Sequence, residues 1–423
     1  MKKTTLFFAL AGFFAFVAVS AQETENWPRF RGPNGQGISK ATGLPIKWSV
    51  DANIAWKTKI PGNGWSSPIV WNDHIFLTTT TDGLKNCHVI ALDRKTGTIL
   101  WDKLVFTQDI RQRHPRNSGA TPTPATDGKY VYAIFGGGGI AALDFDGNVV
   151  WIKDDLDFHS QHGNGSSPIL YGDLLLWSAN PTGRGESKML GFQEPWDKSY
   201  LLALDKKTGK ERWRGKRGLS RIAHATPAVM QVNGNDQIIS PAGDVIQGFD
   251  PTDGTLIWTI AGFGEPCVPS PAIGDGLLYS VTRLSEPIRA VRPDGRGDCT
   301  ATHIVWEQKR NAPMIASFLY LKPCLYSCTD DGSFSCLDAT TGEFLWQLRL
   351  GGALSPSPIY ADGKIYVLSD QGTTTVLKPS VDPKEPAEII ATNELDEKAQ
   401  ASIVVAGKQL LIRTVDQLWC IGK

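Results

Sequence analysis

The sequence predicts an all-β protein, an eight-bladed β-propeller whose closing blade is built from both chain ends. Three observations predict it. The first is a recurring phrase in which Leu or Phe precedes Asp, a turn ends in Gly, and Trp follows eight residues after the Asp. It runs from Leu92-Asp93 to Trp101, Leu204-Asp205 to Trp213, Phe249-Asp250 to Trp258 and Leu337-Asp338 to Trp346, with a looser copy from Asp144 through Gly147 to Trp151. The second is a phrase of small residues and Pro recurring between those copies: Ser66-Ser67-Pro68, Thr121-Pro122-Thr123-Pro124, Ser166-Ser167-Pro168, Ala225-Thr226-Pro227, Pro269-Ser270-Pro271 and Ser355-Pro356-Ser357-Pro358. The third is that the two ends are complementary fragments of one repeat.

Each element follows from local chemistry. Asp opens a tight turn by bonding its own backbone, Gly takes the positive-φ position, and the flanking apolar residues read as antiparallel strands. Repetition every ~40–60 residues marks a propeller or solenoid, where each unit buries its faces on its neighbours. The small-residue phrase suits the innermost strand at a crowded axis, with Pro near strand starts. Residues 53–60 give a lone Trp-bearing strand around Trp56, and residues 401–405, 409–413 and 417–421 give three strands with no Trp strand after them. Joined, they complete one blade and remove the exposed edges. Fourth strands then fall at Trp56, Trp101, Trp151, Trp213, Trp258, Trp306 and Trp346, plus a Trp-less version at 388–392.

The chain divides into residues 1–21, an extended arm over 22–47, and a single propeller over 48–423. Lys2 and Lys3, an apolar run over residues 6–19 and Val19-Ser20-Ala21 read as a secretory signal cut after Ala21, placing the protein in the periplasm or outside the cell. No later segment has transmembrane length and hydropathy. Lys plus Arg equals Asp plus Glu at 43 each, which argues against a nucleic-acid partner in bulk. The cysteines number seven, an odd count at irregular spacing and a poor disulfide framework, and they read as small apolar core residues. Cys328 and Cys336 flank the turn at 330–333, which leaves open a pairing across a hairpin.

The Leu-Asp-x-x-Thr-Gly-x-x-x-Trp phrase resembles the repeat of the pyrroloquinoline-quinone-type propellers, the quinoprotein alcohol dehydrogenase-like superfamily. That superfamily also includes the propeller lipoprotein of the outer-membrane assembly machine. Phrases such as Trp27-Pro28-Arg29-Phe30-Arg31-Gly32-Pro33, Gly64-Trp65-Ser66-Ser67-Pro68 and His162-Gly163-Asn164-Gly165-Ser166-Ser167-Pro168 are most similar to secreted bacterial proteins with pyrroloquinoline quinone (PQQ)-binding-like repeats. The resemblance covers nearly the whole chain after residue 21 and implies the propeller fold. For a dehydrogenase it would also imply adjacent cysteines bridged over the quinone, and Ca²⁺ held beside a catalytic Asp. No adjacent cysteines occur here and no motif matches the calcium residues. No catalytic residue, metal or cofactor is therefore assigned, and PQQ with calcium stands as the alternative.

In a four-stranded blade, the link to the next blade lies on the same side as the turn between the second and third strands. The longest segments, 102–118, 153–165, 179–199 and 214–224, fall mostly on that side, and function usually rides on loops mounted on a rigid scaffold. Those loops carry Arg111, Arg113, His114 and Arg116 into one inner strand, His159 and His162 into the next, and Arg221 and His224 into the one after. Arg offers planar donor forks and His can donate or accept, so their convergence would suit an anionic or polyhydroxylated ligand. Trp65, Trp177 and Trp196 offer stacking surfaces. The rival reading leaves the cations on a solvated rim and the Trp side chains between blades. The sequence thus points to a non-catalytic scaffold that binds a small molecule, a glycan or an envelope protein. The alternative is an oxidoreductase or carbohydrate-active enzyme at the same mouth.

Overall fold

The computed structural model describes residues 26–108, 114–264, 267–282 and 286–422. Its strands form eight sheets, each built on four antiparallel strands, arranged as a propeller and taken up consecutively along the chain. Blade 1 comprises Ile69–Trp71, His74–Thr81, Asn86–Asp93 and Ile99–Thr107. Blades 2 to 7 follow over residues 125–153, 169–216, 228–261, 272–308, 319–349 and 359–394. In blade 8, Val404–Ala406, Gln409–Arg413 and Gln417–Ile421 are joined by Ile54–Lys59, which pairs with the last of them in the register Trp56↔Cys420 and Lys57↔Trp419. The ring is closed by the two ends of the chain.

The recurring phrase makes the contact between blades as well as the turn within one. Asp93 accepts from the backbone N–H of Lys95 (3.0 Å) and Thr96 (2.8 Å) and from Thr96 Oγ1 (2.9 Å), and those bonds hold its carboxyl below the usual range. Gly97 sits at φ 72°, and a Cβ there would lie 2.4 Å from the Trp56 ring. Trp56 comes from the preceding blade, and its Nε1 donates to Arg94 O at 3.0 Å. Trp101 bonds Phe145 O, Trp151 bonds Lys206 O, Trp213 bonds Pro251 O, Trp306 bonds Ala339 O and Trp346 bonds Pro383 O in the same way. Trp258 departs from the pattern and donates to Gln237 Oε1 within its own blade. Here residues 293–303 intervene, adding Gly297–Asp298 as a fifth, parallel strand to blade 4 and a short helix at Thr300–His303.

The arm from Trp27 to Ser39 runs across one end of the central channel and bonds the inner strands in turn. Trp27 exchanges backbone bonds with Val70, Pro28 O accepts from Thr126 N, and Gln36 Oε1 accepts from Ile273 N. Gly37 O and Ser39 N bond Tyr360. The Arg31 guanidinium, buried and pulled down to about 10 by desolvation, donates to Gln36 O (2.7 Å), Phe318 O (2.6 Å) and Pro358 O (3.5 Å). Gly37 makes room for that fork, since a Cβ there would lie 2.9 Å from Arg31 Nη2.

All seven cysteines are buried free thiols. Cys328 pairs in register with Phe334, and Cys336 with Tyr326, so the two do not face each other across the hairpin.

Candidate functional site

The channel is lined by the innermost strand of every blade, and each contributes one hydroxyl at the same level. Ser67 N–H donates to Thr123 Oγ1, Thr123 N–H to Ser167 Oγ, Ser167 N–H to Thr226 Oγ1, and Thr226 N–H to Ser270 Oγ, each at 3.0 Å. Ser270 continues to Ser317 (3.0 Å), Ser317 to Ser357 (2.9 Å) and Ser357 to Ser402 (2.9 Å). These seven links tie one blade to the next at the axis. Each oxygen from Thr123 to Ser402 spends one lone pair on a neighbour's N–H. Among the described residues, none of the eight ring hydroxyls donates its own proton to a protein acceptor.

The arm bonds Val70, Thr126, Ile273 and Tyr360, each three residues beyond a ring hydroxyl, or roughly 10 Å further along the strand. It therefore seals the end of the channel opposite the long loops, and Phe30 reaches the floor of the resulting cavity. That cavity holds about 740 Å³ and opens on the elaborated face. Trp65, Phe192, Met314 and Ile315 add apolar wall above the hydroxyls.

Four of the eight sequence candidates line this cavity: His114, Arg116, His162 and His224. Three of them form a row: His114 meets His162 edge-on with ring centroids 5.3 Å apart, and His162 stacks on His224 at 6.1 Å. Phe192, from the insertion in blade 3, packs edge-on against His162 at 4.9 Å. His224 is 9% exposed, and its Nδ1 is buried without a hydrogen-bond partner. Burial, reinforced by His162 and His114, drives its imidazole down to about 3, and burial also lowers His162.

Arg116 pairs with Asp330, which lies in the turn between the second and third strands of blade 6, across the channel. Asp370 occupies the equivalent turn of blade 7, accepts from Ser355 N (3.0 Å) and Oγ (2.9 Å), and is raised by burial. Glu286 lines the cavity itself and lies 3.6 Å from Arg289. This acidic half went unread in the sequence. The signal is a repeated phrase, Thr329-Asp330-Asp331-Gly332-Ser333 and Ser369-Asp370-Gln371-Gly372-Thr373, of which only the first is read in the sequence analysis, as a turn between two cysteines.

The remaining candidates lie elsewhere. Arg221 turns aside to Asp244 at 3.4 Å. His159 borders a separate cavity of about 770 Å³ with Gln108, Gln161, Arg184 and Lys188, and desolvation with nearby Arg184 lowers it. Arg111 and Arg113 lie outside the described residues. Of the three Trp side chains proposed for stacking, only Trp65 lines the channel cavity; Trp177 is buried against Phe158. Among the described residues no group of three or more His, Cys, Asp or Glu is placed to hold a metal ion.

Fold and channel together define a propeller of quinoprotein type. The family described as outer membrane protein assembly factor BamB matches over residues 38–180, 176–296 and 298–382, and the chain belongs to it. The quinoprotein alcohol dehydrogenase PedE of Pseudomonas putida is 37% identical over 73 residues, which is 16% of this chain and 12% of that enzyme. The chain thus matches only a small part of that relative. BamB from Moraxella catarrhalis superposes with a TM-score of 0.59 at 15% identity, over 86% of this chain and 96% of that one. A europium-containing methanol dehydrogenase superposes with a TM-score of 0.68 at 11% identity, over 94% and 91%. At those identities the likeness to solved structures concerns the fold.

Proposed function

We propose that the protein is an exported, non-catalytic binding protein of the cell envelope that takes a small ligand into the blind channel from its elaborated face. The observation that carries this reading is His224, buried at the wall of a closed-ended cavity with a ring nitrogen that has no partner. A buried polar atom without a hydrogen bond costs roughly 1–3 kcal/mol, which a ligand atom or a trapped water would recover. The unspent hydroxyl protons of the ring add to the same account. The signal-like pattern of residues 1–21 supports export, and among the described residues no helix is long and apolar enough to cross a membrane.

A quinone-dependent oxidoreductase is the second reading, favoured by the short stretch shared with an alcohol dehydrogenase. The donor set here does not fit calcium-bound quinone. The acids nearest the mouth are engaged with Arg116, Ser355 and Arg289, and among the described residues no cysteine lines the cavity. No redox step is therefore derived.

The binding reading is tested by differential scanning fluorimetry against a metabolite and glycan panel, comparing the wild type with Met314→Trp, whose indole fills the mouth. A saturable ligand should raise the melting temperature of the wild type and leave that of Met314→Trp unchanged. Ligands that stabilise both proteins equally would place binding outside the channel.

A further inference from the structure

We infer that the channel pocket selects an uncharged, polyhydroxylated ring, a pyranose or a cyclitol, over an anion. The inference rests on the binding reading above and adds the chemical class of the ligand. It starts from the hydroxyl ring. Each oxygen from Thr123 to Ser402 has one lone pair engaged by a neighbouring N–H, one lone pair open, and a proton with no protein acceptor among the described residues. Each such group therefore both donates and accepts toward the axis. An alcohol has the same two-way capacity, whereas a carboxylate or phosphate only accepts.

The charges around the pocket point the same way. Arg116 is committed to Asp330, Glu286 lies beside Arg289, and Asp370 takes both bonds that Ser355 offers. Arg221, another cation expected here, is turned to Asp244, while Arg111 and Arg113 lie outside the described residues. Bringing an anion into this pocket would bury a charge against paired ions and neutral hydroxyls, and burial without a counter-charge is expensive. A neutral ring carries no such cost. His224 offers it one ring nitrogen without a partner, and Trp65 offers a buried Nε1 that likewise has none.

The walls complete the match. Trp65 and Phe192 are aromatic, Phe30 closes the floor, and Met314 and Ile315 supply aliphatic surface. An apolar rim around convergent hydroxyls suits the alternating C–H faces and O–H edges of a sugar ring. About 740 Å³ falls inside the range of ~300–1,000 Å³ typical of small-molecule pockets. It would accommodate one or two such rings.

The test is saturation-transfer NMR and calorimetry on the intact purified protein with two matched panels. The neutral panel holds glucose, galactose, mannose, myo-inositol, maltose, cellobiose and neutral glycan fragments. The acidic panel holds glucuronate, galacturonate, sialic acid, inositol phosphates and citrate. At least one neutral member should bind saturably, with affinity constant within twofold from pH 5.5 to 8 and nearly independent of salt. It should weaken at least tenfold in Trp65→Phe, which keeps a ring and loses the N–H, and in His224→Ala. If His224→Ala fails to fold, Trp65→Phe carries the test alone. Binding confined to acidic members, or tightening as the pH falls, would overturn the ligand class and leave the binding reading standing. Absence of saturable binding in both panels would overturn the ligand class, and failure of the broader panel against Met314→Trp would remove the binding reading as well.

Discussion

The arm that seals the channel is held in part by one buried side chain, Arg31. Arg31 donates two short bonds, to Phe318 O at 2.6 Å and Gln36 O at 2.7 Å, and a longer one to Pro358 O at 3.5 Å. Hydrogen bonds from a charged donor contribute ~1.5–3 kcal/mol each, so the two short ones amount to about 3–6 kcal/mol. Arg31→Ala also removes the desolvation cost of a fully buried guanidinium, which offsets part of that sum, while stranding the buried carbonyl of Phe318. The net expectation is a loss of about 3 kcal/mol. Equilibrium urea unfolding measures it, and Arg31→Lys, which keeps a point charge but loses the fork, should fall between wild type and Arg31→Ala. Limited chymotrypsin digestion should then cut at Phe30 in Arg31→Ala well before it cuts the native protein. A shift below ~1 kcal/mol with Phe30 still protected would refute the plug as described.

Three further outcomes test the architecture and the site. Gly254 lies at φ 76° with a Cβ position 2.4 Å from the Trp213 ring, so Gly254→Ala should cost ~2–4 kcal/mol in chemical denaturation through strain and displacement of Trp213. Deleting residues 401–423 strips three strands from the closing blade and leaves Ile54–Lys59 unpaired. Calorimetry of that truncation should show no cooperative transition near the native temperature, and a native-like transition would contradict closure by the two termini. The third outcome concerns pH. His224 falls to about 3 in the folded state against an ordinary 6.5, so between those values the unfolded chain binds the extra proton. Its contribution to stability is full above pH 6.5 and declines as the pH drops toward 3, by an amount on the order of 4 kcal/mol. His162 beside it adds the same sign, while Asp370, raised by burial, opposes it by gaining a proton in the folded state. Unfolding measured from pH 7 to pH 4.5 should show a shallower decline in His224→Gln than in the wild type; identical slopes would show that His224 is not held neutral.

The architecture was legible because the residues that make the turn also make the contact between blades. Asp93 and Gly97 shape one hairpin and receive Trp56 from the preceding blade, so a local phrase reports a long-range arrangement. The inner phrase was legible only where Pro followed the hydroxyl. Ser317 and Ser402, followed by Phe318 and Ile403, complete the ring without that marker. The candidate site was legible in part. His162 and His224 follow their inner strands to the axis, but His159, three residues earlier, turns outward between loops. Distance along the chain fixes nearness to a strand and says nothing of radial direction. The acids Asp330 and Asp370 escaped notice because a carboxylate in a Gly-containing turn has a sufficient local explanation. The plug escaped because its partners lie up to 327 residues away.

The central claim, a non-catalytic ligand pocket in a quinoprotein-type propeller, meets its most direct test in a calorimetric titration of the purified protein with PQQ and Ca²⁺. The account predicts no saturable heat and no reduction of an artificial electron acceptor when alcohols or sugars are added. Tight one-to-one binding with substrate-dependent dye reduction would contradict it and make the channel a catalytic site.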